Sequence, residues 1–132
     1  MIYPRLTAYY AGLFAIILIV LSLRVVLGRA RHKVHHGDGG VDMLNRMIRA
    51  QGNFTEYVPF ALILAALVEA SGVAAEKMHM LMIPLLVARV AHPIGMMAPV
   101  ASTQQFTLRG VSVLVTWLVI AVEAVLLLLQ SI

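Results

Sequence analysis

Four apolar stretches, each near the roughly 20 residues that a helix needs to cross a bilayer, divide this chain of 132 residues, and only short polar connections separate them. In hydrocarbon each backbone N–H and C=O must be satisfied without water, so stretches of this length fold as helices. The expected spans are 6–27, 43–71, 78–98 and 108–129. The connections around Gly37, Gly72 and Ser102 are short, so consecutive helices are expected to pack as antiparallel neighbours. The fold class is thus an all-α membrane protein, an antiparallel four-helix transmembrane bundle. A hydrophobic content of 61% and a mean hydropathy of +0.93 exclude a water-soluble fold, for which about 45–50% apolar residues is usual. Four spans use up the chain, and 1–132 reads as a single domain.

The first stretch reads as a retained anchor. It is too long for a signal-peptide core, Arg5 is its only early cation, and no small-residue cleavage pattern follows. The chain has no cysteine, so any thiol chemistry must use a thiol brought by a substrate. Of the ten Lys and Arg residues, Arg24, Arg29, Arg31, Lys33, Arg46, Arg49, Arg89 and Arg109 lie toward the first and third connections. Only Arg5 and Lys77 lie toward the other side. By the positive-inside rule this split places the first and third loops in the cytoplasm and both termini in the periplasm of a bacterial inner membrane. No basic tract carries interleaved aromatics, and nucleic acid is not an expected partner.

The second span is the one with polar residues inside it. It is expected to start at Asp42, acting as N-cap after Gly39-Gly40, and to stop near Ser71 and Gly72. Arg46, Arg49, Asn53 and Glu56 follow one another at steps of three, four and three, which stacks them on one helix face. A helix of this length extends roughly 40 Å, more than the roughly 30 Å of hydrocarbon. Arg46 and Arg49 then fall in the headgroup zone, with Asn53 and Glu56 just inside the apolar boundary. A guanidinium and a carboxylate at this spacing either neutralise each other in packing or form a shallow polar site at one membrane face.

The pattern Arg49-x-x-x-Asn53-x-x-Glu56-Tyr57-x-Pro59 resembles the second-helix signature of the MAPEG family, the membrane-associated proteins in eicosanoid and glutathione metabolism. The four-span layout and the basic end of span one extend the likeness, and His36-Gly37-Asp38-Gly39-Gly40 resembles the family's bacterial branch. The resemblance implies a homotrimer that binds glutathione between subunits as co-substrate, with no metal, and a lipophilic second substrate that enters from the bilayer. It implies that Arg49 holds a glutathione carboxylate, that Asn53 and Tyr57 add polar contacts, that Glu56 takes the α-amino group, and that Arg29 reaches the ligand from the end of span one. Arg109 matches the arginine that stabilises the glutathione thiolate, which makes it the implied catalytic residue. Arg46, Gln51, Arg89 and His92 are secondary binding candidates. In span three the chain departs from the pattern: His92 and Met96 stand where members with transferase activity carry tyrosines.

The implied activity is a glutathione transferase or peroxidase acting on lipophilic electrophiles or hydroperoxides. The alternatives are a non-catalytic protein of the same fold and a small multidrug or metabolite transporter, although a transporter's acid belongs near the midplane and Glu56 lies nearer one surface. Other features have structural readings. His32, His35 and His36 form an interfacial basic loop and no metal site. Glu123 is a packing or interfacial group near the outer face. Ala8, Gly12 and Ala15 form a small-residue face for close helix packing. Pro84 is expected to kink span three, and Pro59 to remove the backbone bond at Thr55 beside Glu56.

Overall fold

In the computed structural model, residues 3–130 are described. Four helices follow one another: α1 (Arg5–His32), α2 (Asp42–Ala70), α3 (Ala75–Met97) and α4 (Thr103–Gln130). Each is long and apolar enough to cross a membrane. α2 and α3 form the centre. α1 packs on both, and α4 packs on both from the far side, while α1 and α4 do not meet among the described residues. The shared core is built by Phe14 of α1, Phe54, Ala61, Ala65 and Val68 of α2, Met78, Met82 and Leu85 of α3, and Val119 of α4. Small residues on α2 let its neighbours approach, and the Phe14 and Phe54 rings meet edge to face at 6.1 Å.

The helix ends show how the chain turns. α1 stops where Lys33 adopts a left-handed conformation and Val34 N–H bonds back to Arg29 C=O at 3.0 Å. The loop then needs glycine at position 39: its φ is +57°, and a Cβ there would lie 2.5 Å from Val34 Cγ2. α2 does begin at Asp42, but Asp42 is not its N-cap. Val41 fills that position, and the Asp42 carboxylate accepts from Arg46 Nε one turn on, at 2.8 Å. An acid in the first turn favours the helix dipole without capping, and the i,i+4 pair competes for its oxygens.

α4 starts earlier than the expected span. Thr103 to Thr107 are helical, because Ser102 Oγ accepts from Gln105 N–H and Gln105 Oε1 accepts from Ala101 N–H, both at 3.0 Å. This is a capping-box exchange shifted by one residue. Pro84 and Pro93 both lie within α3, and the helix runs through them. Pro59 likewise lies within an unbroken α2.

Ala8, Gly12 and Ala15 are exposed on α1, and a Cβ on Gly12 would meet nothing within 4 Å. The face that α1 buries in the subunit is Thr7, Tyr10, Phe14, Leu21, Val25 and Gly28, and its close approach to α2 is at Gly28, against Leu44 and Met47. Of the two readings of Glu123, packing holds and interfacial does not. The side chain is wholly buried on the inner face of α4, and neither carboxyl oxygen has a hydrogen-bond partner among the described residues.

The bundle is pinned at both ends by side chains that cross between helices. Glu69, at the end of α2, accepts from Leu6 N–H, Thr7 N–H and Thr7 Oγ1 at 2.9, 2.8 and 2.7 Å. It therefore caps the start of α1, where the first-turn N–H groups have no helical acceptors. At the other end Arg46 Nη1 donates to Ala98 C=O at 2.9 Å, which fastens the start of α2 to the end of α3. The first and third connections accordingly lie at the same end of the bundle. Replacing Glu69 by Ala leaves two N–H groups and a hydroxyl without their acceptor. The expected loss is about 2 kcal/mol, read as a lower thermal midpoint in detergent, with Glu69→Gln intermediate.

Candidate functional site

The helical spacing does bring the stripe of α2 onto one face, and the structure sorts its members by partner. Arg46 is held within the chain by Asp42 and Ala98. Gln51 points instead to α1 and donates to Ser22 Oγ at 2.8 Å. Arg49 and Glu56 are exposed, and neither has a hydrogen bond or ion pair to any described residue. The reading in which the two neutralise each other is therefore not realised within the subunit. Asn53 and Tyr57, between and beside them, are half-buried.

Beneath that face lies Arg89 of α3, only 1% exposed. Its Nη1 donates to Asn53 Oδ1 at 2.9 Å and its Nη2 to Ser112 C=O at 3.1 Å. The Tyr57 ring centroid is 6.0 Å from the guanidinium carbon, within cation–π range. Nε is buried without a partner among the described residues. Ser112 C=O also accepts from Thr116 Oγ1, one turn further along α4, at 2.8 Å. Arg89 thus ties α2, α3 and α4 together at the level of Asn53. His92, one turn along α3, is also buried and lies within electrostatic reach of both Arg89 and Arg109.

Arg109 is exposed in the second turn of α4 and lines an open groove of about 850 Å³ with Ser102, Gln105, Phe106 and Val113. The first turns of α4 lie against the end of α3 because residue 95 is glycine. A Cβ there would lie 2.7 Å from the backbone N of Arg109 and 2.9 Å from Leu108 Cβ. Backbone cannot yield as a flexible side chain can, so any larger residue would push the start of α4 away. The close approach was not anticipated from the sequence. A glycine inside an apolar helix is its one visible signal.

Arg29 is half-buried at the end of α1, where its Nε donates to Gly37 C=O at 3.3 Å. Its contact within the subunit is thus with its own loop, and the stripe of α2 is not among its partners. No group of three or more His, Asp or Glu residues able to hold a metal occurs among the described residues. His32, His35 and His36 are all exposed.

The stripe of α2 is an open polar face, with a cation and an anion, an amide between them, a phenol beside the anion and a buried cation below; a second exposed cation, Arg109, stands toward the same end of the bundle in a groove lined by the third loop and α4. A zwitterion with a carboxylate and an ammonium has the charges to match Arg49 and Glu56, and a developing anion would be stabilised beside Arg109.

Residues 7–129 match the MAPEG family. The inner membrane protein YecN of Escherichia coli strain K12 is 38% identical over 89 residues, which cover 67% of this chain and 68% of that protein. The protein of the same name in Escherichia coli O6:H1 strain CFT073 matches with the same identity and coverage.

Proposed function

This chain belongs to the MAPEG family, and from that membership we propose that it binds glutathione on the open face of α2 and uses the thiol on lipophilic partners from the bilayer. One observation carries the reading. Arg49 and Glu56 are charged, exposed on a helix that crosses the membrane, and without a partner in their own subunit. A charge just inside the apolar boundary, as at Glu56, costs several kcal/mol unless something polar meets it. A zwitterionic γ-glutamyl group supplies both countercharges at once. Arg49 takes the carboxylate as a bidentate guanidinium pair, Glu56 takes the ammonium, and Asn53 and Tyr57 add hydrogen bonds between the two.

The chemistry follows from the thiol. A free thiol has a pKa near about 8.5, and a guanidinium beside it lowers that value and enlarges the thiolate fraction at neutral pH. Arg109 takes this role. The proton leaves to water, and the thiolate sulfur donates its electron pair to an electrophilic carbon. The S–C bond forms as the bond to the leaving group breaks, and that group departs with the electron pair. With a lipid hydroperoxide the thiolate attacks the terminal oxygen and releases the lipid alcohol. A second glutathione thiol then displaces water from the sulfenic acid and leaves the disulfide.

A site of this kind is completed between copies of the chain. In one subunit Arg29 is bound to Gly37 and the face of α2 stands open, so a neighbour's basic α1 end is the natural cover. We therefore assign the working form as a homotrimer in the bacterial inner membrane. The relatives named inner membrane proteins support that location, and the grouping of eight cations at one end supports cytoplasmic first and third loops. The second reading, a MAPEG protein that binds without catalysis, is favoured by the burial of His92 where transferases carry a tyrosine.

Calorimetry on the purified protein should show glutathione binding, and Arg49→Ala or Glu56→Ala should each weaken it by about 1.5–3 kcal/mol. Absence of binding by the wild type, or unchanged affinity in both variants, removes the site. Native mass spectrometry in mild detergent should show three copies. A stable monomer that still binds glutathione removes the intersubunit arrangement. For Arg109→Ala, ultraviolet titration of the bound ligand should show thiolate appearing at higher pH than in the wild type, with turnover reduced more than affinity. A wild-type thiol that titrates like free glutathione selects the non-catalytic reading.

A further inference from the structure

We infer that Arg89 is a positioning residue that sets the polarity of the amide at Asn53, so that the ligand atom Asn53 meets is a hydrogen-bond acceptor, a carboxylate or carbonyl oxygen. This rests on the proposed glutathione reading and adds to it the residue that fixes which end of the Asn53 amide the ligand meets. An asparagine amide is ambiguous by itself, since either end can face a ligand. Here the ambiguity is removed from behind. The guanidinium has only N–H donors, so the Asn53 atom 2.9 Å from Nη1 must be the carbonyl oxygen. Turning the amide over would oppose N–H to N–H against a buried cation. Asn53 Nδ2 donates to no described residue and is left for the face it shares with Arg49 and Glu56.

Arg89 itself cannot be the contact. It is 1% exposed, covered by the Tyr57 ring, and occupied by Asn53 and by Ser112 C=O. Its charge is still felt at the face, because it has no carboxylate partner among the described residues. The buried cation, the outward N–H of Asn53 and the exposed Arg49 all favour the same kind of group, an oxygen carrying negative charge. Glu56, three residues beyond Asn53, is then the only part of the stripe suited to a donor. An Asn53 amide held this way suits the orientation already proposed, with the γ-glutamyl carboxylate at Arg49 and the ammonium at Glu56, and places Asn53 on the carboxylate side.

Asn53→Asp separates this from a role in packing alone. Aspartate keeps the shape and gives Arg89 a countercharge, while it removes the outward donor and puts an anion at the face. For the full chain in detergent, the thermal midpoint should rise and the calorimetric Kd for glutathione should weaken by about tenfold or more. A purely structural contact would strengthen the fold and leave affinity alone. Unchanged or tighter binding by Asn53→Asp overturns the inference. In an Arg89→Lys background, which keeps the charge and loses the planar fork, the rise in midpoint caused by Asn53→Asp should shrink. An undiminished rise also overturns the inference. If Arg89→Lys does not fold, the affinity of Asn53→Asp decides alone. A wild type that binds no glutathione overturns the functional reading, and the coupling of the two midpoints then still tests whether Arg89 holds Asn53.

Discussion

A guanidinium buried among apolar helices organises the rest of this structure. Arg89 leaves α3 roughly 12 Å from that helix's end and has no water to hydrogen-bond with. It meets this constraint by reaching α2 through Asn53 and α4 through the carbonyl of Ser112. That carbonyl lies within α4 and already accepts from Thr116 Oγ1, so the added donation from Arg89 needs no helix to unwind. The outcome is a fixed level at which three of the four helices are held in register. The polar stripe of α2 lies at that level, so the subunit is most constrained where its surface is most charged.

The two ends are fixed by related means with different parts. At one end a carboxylate from α2 satisfies the first-turn N–H groups of α1, and at the other an arginine from α2 satisfies the carbonyl of Ala98, the C-cap of α3. In both cases the unsatisfied backbone group of a helix terminus is met by a side chain of a different helix. This is the economical solution in a bilayer, where apolar contact between helices has no water to exclude and polar contacts and close packing must supply specificity. α2 provides both of these ties and the Asn53 acceptor for Arg89, which accounts for its central position and for the many polar residues along a helix that otherwise reads as a span.

How much of this was legible in the residues depended on the range of the interaction. The four helices, their antiparallel order and the common face of Arg49, Asn53 and Glu56 come from periodicity and hydropathy, which are local properties, and the structure bears them out. The start of α4 was legible too, in the Ser102 to Gln105 capping spacing, but the residues were counted as connection because hydropathy marks where a span is apolar and not where its helix begins. The function of Glu69 could not be read: a lone glutamate near a helix end looks like an interfacial charge until the start of α1, more than sixty residues earlier, is known to lie beside it. The small residues of α1 are the opposite case. Their spacing announces a close-packing face, yet spacing does not say against what, and within the subunit Ala8, Gly12 and Ala15 face outward.

The polar residues within the spans divide into three sorts, and the division separates what holds the subunit from what faces outward. Glu69, Arg46, Arg89, Asn53 and the Gln51–Ser22 pair are satisfied inside the chain, and their removal would be felt as lost stability. Glu123 is enclosed so completely that neither ligand nor neighbour reaches it without helix movement, and it contributes nothing to the open face. On α2 Arg49 and Glu56 remain, exposed and without a partner among the described residues, as Arg109 is on α4. A hydrogen bond between helices is worth about 0.6 kcal/mol on average in membrane proteins, whereas an unmet charge within the apolar boundary costs several. The packing of one subunit is therefore too weak a reason to keep Glu56 charged and exposed inside that boundary, with Arg49 one to two turns away at its headgroup edge.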